Sequence, residues 1–118
     1  MLVDDDPYQL DALAELLRRA GLDVTMADRG SVALSEAHDR HFDVVILDVE
    51  LPDVTSTTLI AQLRDRCPMV PVIVVSGHPI DSQPVKDALH ASGGRYIGKP
   101  IEIALLLTEI AHSTAARS

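Results

Sequence analysis

Two unbroken apolar runs, Val44-Val45-Ile46-Leu47 and Val72-Ile73-Val74-Val75, set the pattern of this 118-residue chain. Four branched apolar residues in a row read as a strand buried on both faces, the habit of parallel sheets covered above and below by helices. Each run stops abruptly. Asp48 and then Pro52 follow the first, and Ser76-Gly77-His78-Pro79 follows the second, so a loop is expected at the carboxyl end of each strand.

Around these runs the apolar spacing turns helical. Leu10, Leu13, Ala14 and Leu17 share one helix face; Asp6-Pro7 supplies a cap and a first-turn proline, and Gly21 a left-handed stop. Ahead of this helix, Met1-Leu2-Val3 is β-compatible but short, as in a strand that has been trimmed. Leu22 to Ala27 alternates apolar with polar, which predicts an outer strand with one wetter face. A second helix is predicted from Gly30-Ser31, with Val32, Ala33, Leu34 and Ala37 inward, and the central strand from Phe42 to Asp48. Thr55 to Thr58 offers cap oxygens to a third helix burying Leu59, Ile60 and Leu63. After the second apolar run, residues 78–83 are irregular, and a late, short fourth helix with Val85, Ala88 and Leu89 is expected after Pro84, closed by Gly93-Gly94. Arg95 to Gly98 makes a fifth strand, Lys99-Pro100 a turn, and Ile103, Leu106, Leu107 and Ile110 the inner stripe of a last helix. Five strand-helix units in strict alternation, with right-handed crossovers, imply a parallel sheet with helices on both faces.

Composition narrows the function. The length suits one domain spanning residues 1–118, of the kind excised from a larger protein, with a core that needs no disulfide or structural metal. Cys67 is the only cysteine, so no internal disulfide forms and a reducing compartment fits. No leader-like start and no membrane-length apolar stretch is present, which points to a soluble, cytoplasmic domain. A net charge of -8, without a basic cluster, argues against nucleic acid as a direct partner of this segment.

The candidate chemistry gathers where strands end: Asp4-Asp5 after the first, Asp48 after the third, Ser76-Gly77 after the fourth and Lys99 after the fifth. Each is ordinary singly, since acids favour helix starts, Ser-Gly is a turn and most lysines are solvated. Together they share one edge of the sheet, the edge where ligands bind in open α/β folds. Grouped carboxylates repel unless a cation joins them, and an all-oxygen set suits a hard ion such as Mg²⁺. A hydroxyl, a backbone N–H and a lysine are natural partners of a phosphoryl oxygen. His38 and His41, three apart on the second helix, lack a third ligand and read as solvated rather than metal-binding.

These residues carry a resemblance to the receiver domains of two-component response regulators, over essentially the whole chain. The family pattern is an acidic pair after the first strand, Asp-x-x-x-Pro after the third, Ser or Thr plus a small residue after the fourth, and Tyr-x-x-Lys-Pro at the fifth. This chain has Asp4-Asp5, Asp48 to Pro52, Ser76-Gly77 and Tyr96 to Pro100. The resemblance implies a flavodoxin-like, doubly wound sheet in the order 2-1-3-4-5. It implies Asp48 as the acceptor of a phosphoryl group from the phosphohistidine of a histidine kinase or phosphotransfer protein. Mg²⁺ would be held by Asp5, Asp48 and the backbone carbonyl of Glu50, with Asp4 acting through water. Lys99, Ser76 and Gly77 would bind the phosphoryl group, Ser76 and Tyr96 would form the switch, and Glu50 and His78 would overhang the group and tune its lifetime. Output would run to an effector, or to a homodimer, through the fourth helix, fifth strand and fifth helix, where Ile101 and Leu105 fall off the inner stripe. One departure is Ser56, where the family usually has Gly; a left-handed backbone there would cost Ser about 1 kcal/mol.

Two other functions compete with this signalling module, which turns over no external substrate. A haloacid-dehalogenase-like phosphatase would use Asp48 as nucleophile and Glu50 as acid/base, but that family resemblance calls for its acid pair on the first strand and for a cap or larger core. A phosphorylation-independent pseudo-receiver would usually lack one of the site residues, and all stand here.

Overall fold

Strand β3 (Val45–Asp48) lies at the centre of a five-stranded parallel sheet in the computed structural model, which describes residues 1–115. The other strands are β1 (Leu2–Val3), β2 (Met26–Ala27), β4 (Val72–Ser76) and β5 (Arg95–Gly98), in the order β2-β1-β3-β4-β5. Helices α1 (Pro7–Arg19), α2 (Gly30–Asp39), α3 (Ser56–Arg66), α4 (Gln83–Ser92) and α5 (Ile103–Ala115) alternate with them. No described helix is long and apolar enough to cross a membrane.

The strand alternation divides the core in two. Val45 and Leu47 point to the face covered by α2, α3 and α4, where they join Ala33, Leu59, Ile60, Leu63, Val74 and Val85. Ile46 points the other way, with Leu10, Leu13, Leu17, Ile73, Ile97 and Leu106, under α1 and α5. Both faces of β3 are thus consumed by packing, and every one of its residues is buried.

The helix boundaries follow local chemistry. Asp6 accepts the N–H groups of Tyr8 and Gln9, at 3.0 and 3.3 Å, to open α1, and Gly21, at φ +93°, closes it. Thr55 Oγ1 accepts the Thr58 N–H to cap α3, and Gly93, at φ +99°, ends α4. The described backbone has no left-handed residue other than glycine, so Ser56 bears no such cost: it is the first residue of α3.

Several elements differ from the expected ones. β2 covers Met26–Ala27 rather than Leu22 to Ala27, and β3 starts at Val45 rather than Phe42. Both pair with β1, whose rungs are Leu2 and Val3, so the alternating segment before Met26 lies mostly outside the ladder. α4 is no shorter than α2, because Ser82 precedes its start and Pro84 fits within its first turn. α2 ends at Asp39, which leaves His41 in the connection to β3, while the ring of His38 bonds to Arg66 on α3. Ile101 precedes α5 and packs against the α1/α5 core, whereas Leu105 is 47% exposed.

Candidate functional site

Parallel strands end together, so the carboxyl edge of the sheet collects the residues that follow each of them. Asp4 and Asp5 come directly after β1, Asp48 ends β3, Ser76 ends β4, and Lys99 follows β5. One carboxylate oxygen from each of Asp4, Asp5 and Asp48 lies within 4.8 Å of the others. Asp4 and Asp48 are buried, at 4% and 5% exposure, and Asp5 faces solvent.

Asp48 spends its two oxygens differently. Oδ1 accepts the Glu50 N–H at 2.9 Å, and Oδ2 accepts from Lys99 Nζ at 2.6 Å. Lys99 Nζ also stands 3.6 Å from Asp4 Oδ2, so one ammonium pairs with two of the three clustered carboxylates. Burial raises the pKa of Asp4 above its ordinary value, with the charges of Asp48 and Asp5 adding to the rise, while the Asp6 N–H and Lys99 pull it down. For Lys99, burial works to lower the pKa, but its bond to Asp48 and the charges of Asp48 and Asp4 outweigh this and raise it. A cluster left so short of positive charge, offering only oxygen atoms, has the donor chemistry of a site for a hard divalent cation.

β4 and β5 supply the other wall. Ser76 pairs with Gly98 in the ladder, and its carbonyl accepts the Lys99 N–H at 2.9 Å. Its buried hydroxyl accepts the His78 N–H at 2.9 Å, and Gly77 between them is exposed. Half-buried Tyr96 donates its hydroxyl to the His78 carbonyl at 2.9 Å, which links β5 to the β4–α4 loop.

Glu50 and His78 meet each other, through Oε1 and Nε2. Their positions, each two residues beyond Asp48 or Ser76, do not by themselves reveal that they touch. A signal for the contact does exist: Asp48 pairs with Val75, so residues just past the ends of β3 and β4 run side by side. Asp53 has no comparable signal. Its carboxylate accepts the N–H groups of Gly30 and Ser31, at 2.8 and 3.0 Å, across a gap that no local sequence pattern marks.

Known proteins share this fold. The family profile of the response regulator receiver domain matches residues 1–111. The chain is 33% identical to the probable transcriptional regulatory protein TcrX of Mycobacterium tuberculosis, over 87% of this chain and 44% of that protein. It spans less than half the length of this and other curated relatives it matches. Among solved structures, a CheY-like response regulator receiver domain protein from Methanospirillum hungatei JF-1 superimposes with a TM-score of 0.90 at 27% identity, covering 98% of this chain and 91% of that one. The receiver domain of sensor histidine kinase PA1611 from Pseudomonas aeruginosa PAO1, solved with magnesium in its active-site cleft, shares the fold at 23% identity and a TM-score of 0.88, over 97% and 94% of the two chains. With the family profile spanning nearly the whole chain and the acid-lysine edge in place, this chain belongs to the response regulator receiver domains of two-component signal transduction.

Proposed function

We propose that this domain, as one piece of a longer cytoplasmic signalling protein, accepts a phosphoryl group on Asp48 from the phosphohistidine of a histidine kinase or phosphotransfer protein. The observation that carries the proposal is the buried Asp48 carboxylate, held at 2.6 Å by Lys99 beside Asp4 and Asp5. In the transfer, an Asp48 oxygen attacks phosphorus, the bond from phosphorus to the imidazole nitrogen breaks, and the imidazole departs with the bonding pair.

Asp5, Asp48 and the Glu50 backbone carbonyl would hold Mg²⁺, with Asp4 acting through a water; the three clustered carboxylates fit that hard ion. When bound, the ion supplies positive charge that offsets the carboxylates and the incoming phosphoryl oxygens. Lys99 pairs with one of those oxygens, and the Ser76 hydroxyl and Gly77 N–H bond the others. Ser76 exchanges its bond to the His78 N–H for one to the phosphoryl group. Tyr96, bonded to the carbonyl of the same His78, follows the loop and carries the change to the surface formed by α4, β5 and α5. That surface then engages an effector or a second copy. The domain turns over no external substrate; it assists its own phosphorylation and hydrolysis.

Mass spectrometry after incubation with a small phosphodonor and Mg²⁺ tests this reading. One added phosphoryl group on Asp48, absent from Asp48→Asn, is expected. Label on Asp4, Asp5 or Ser76, or no label at all, would reject the assignment.

A further inference from the structure

We infer that Asp53 is a positioning residue for this site, fixing the β3–α3 loop that carries Glu50; the inference rests on the phosphoacceptor reading above. The N–H groups of a helix's first turn have no partners within the helix. In α2 the preceding residue, Arg29, makes no side-chain capping bond. Asp53 caps the helix from outside: Oδ1 takes the Gly30 N–H at 2.8 Å and Oδ2 the Ser31 N–H at 3.0 Å. These two bonds hold its carboxyl below the usual carboxylate range, as charge-assisted bonds to an anion do.

The junction also depends on close approach. A Cβ on Gly30 would collide with Val54 Cγ1 and stand 3.3 Å from Asp53 Oδ1, and Gly30 is not in a left-handed conformation. Glycine is therefore needed for space, so that the loop can seat against α2. At its other end the loop is tied by the Val49 N–H to the Val75 carbonyl at 3.0 Å and by the Glu50 N–H to Asp48 Oδ1 at 2.9 Å. Glu50, the residue whose carbonyl is assigned to Mg²⁺, thus sits between two anchors. With the far anchor cut, the loop would have to be ordered when the ion binds, and the cost of ordering would appear as lost affinity.

Mg²⁺ titration of the full chain, followed by calorimetry, tests the inference alongside melting temperature and amide exchange at Gly30 and Ser31. Asp53→Ala and Gly30→Ala should each weaken Mg²⁺ binding about tenfold, the range seen when supports of metal ligands are removed. Phosphorylation should slow at subsaturating Mg²⁺ and recover at saturation. Adding Val54→Ala to Gly30→Ala should restore affinity by making room for the new methyl group. Arg64→Ala, which frees α3 from the carbonyls of Val70 and Ser92, serves as the control: it should lower stability and leave Mg²⁺ affinity unchanged. If the parent binds Mg²⁺ and both loop variants bind within about twofold of it, the positioning role is overturned while the receiver reading stands. The positioning role also falls if Arg64→Ala weakens Mg²⁺ binding as much as Asp53→Ala does. A parent that binds no Mg²⁺ overturns the receiver reading, and this inference with it.

Discussion

Lys99 meets Asp48 across 51 positions of the chain, at 2.6 Å, and so fixes the end of β5 to the end of β3. Among the described residues, the same ammonium also pairs with Asp4 at 3.6 Å. Lys99→Ala should therefore destabilise the metal-free protein by about 1–2 kcal/mol, less than a fully buried pair because the lysine side chain is 24% exposed. Urea unfolding in chelator measures it. A loss as small as that of an ordinary surface lysine would show that the cluster is balanced in some other way.

Mg²⁺ should stabilise the fold by linkage, because only the native state assembles Asp4, Asp5 and Asp48. Asp5 is exposed, so Asp5→Asn should cost little in chelator yet remove the stabilisation. A melting temperature indifferent to millimolar Mg²⁺ in the parent would sink the idea.

Asp4 gives the metal-free protein a pH dependence of definite sign. Burial, with Asp48 and Asp5 adding to it, raises its folded pKa above the ordinary value of 3.8. Its contribution to stability is therefore complete below the unfolded value and is lost as pH rises through the raised folded value. Asp4→Asn should make the metal-free protein more stable than the parent at pH 7, with the gap closing toward acid. Unfolding curves in chelator across that range check this; a parent more stable than Asp4→Asn at neutral pH would contradict it.

The proposed output surface can be tested through Leu105, which is 47% exposed, and not through Ile101, which packs into the α1/α5 core. Leu105→Lys should leave stability nearly unchanged and weaken a phosphorylation-dependent homodimer through α4, β5 and α5. Ile101→Ala should cost on the order of 1–2 kcal/mol of stability, as a partial core truncation does. Sedimentation with and without a phosphoryl mimic decides the first point. A parent that stays monomeric under both conditions would direct the search to a partner protein instead.

Much of this is readable from the chain because burial on both faces of β3 and β4 leaves long apolar runs, and strand ends then announce themselves as Asp48 and Ser76. The extents of β2 and β3 are less readable, since a strand persists only where a neighbour pairs with it, and Leu22 to Thr25 alternate as a paired strand would. Ile101 misleads because, off the stripe of the last helix, it reads as outward-facing, whereas it precedes α5 and packs into the α1/α5 core. The Asp53 cap and the Glu50–His78 contact, each between residues more than twenty positions apart, depend on how loops converge after the sheet has formed. Local spacing carries little information about that.

On the proposed phosphoacceptor role of Asp48, the Glu50–His78 contact should influence how long the phosphoryl group survives. Both residues lie two positions beyond a site residue, Asp48 and Ser76, and their side chains are joined to each other. A Glu50 carboxylate near a phosphoryl dianion repels it but can orient an attacking water, whereas His78 can shield the acyl phosphate. Glu50→Ala and His78→Ala should each change the dephosphorylation rate several-fold, on the order of 1 kcal/mol in the barrier. Because the two side chains touch, the double variant should not show the sum of the single effects. Mg²⁺ affinity should stay nearly intact, since the ion is assigned to the Glu50 carbonyl. Hydrolysis rates in all three variants equal to the parent's would remove both side chains from the kinetics. A collapse of Mg²⁺ binding in Glu50→Ala would instead make its carboxylate a ligand.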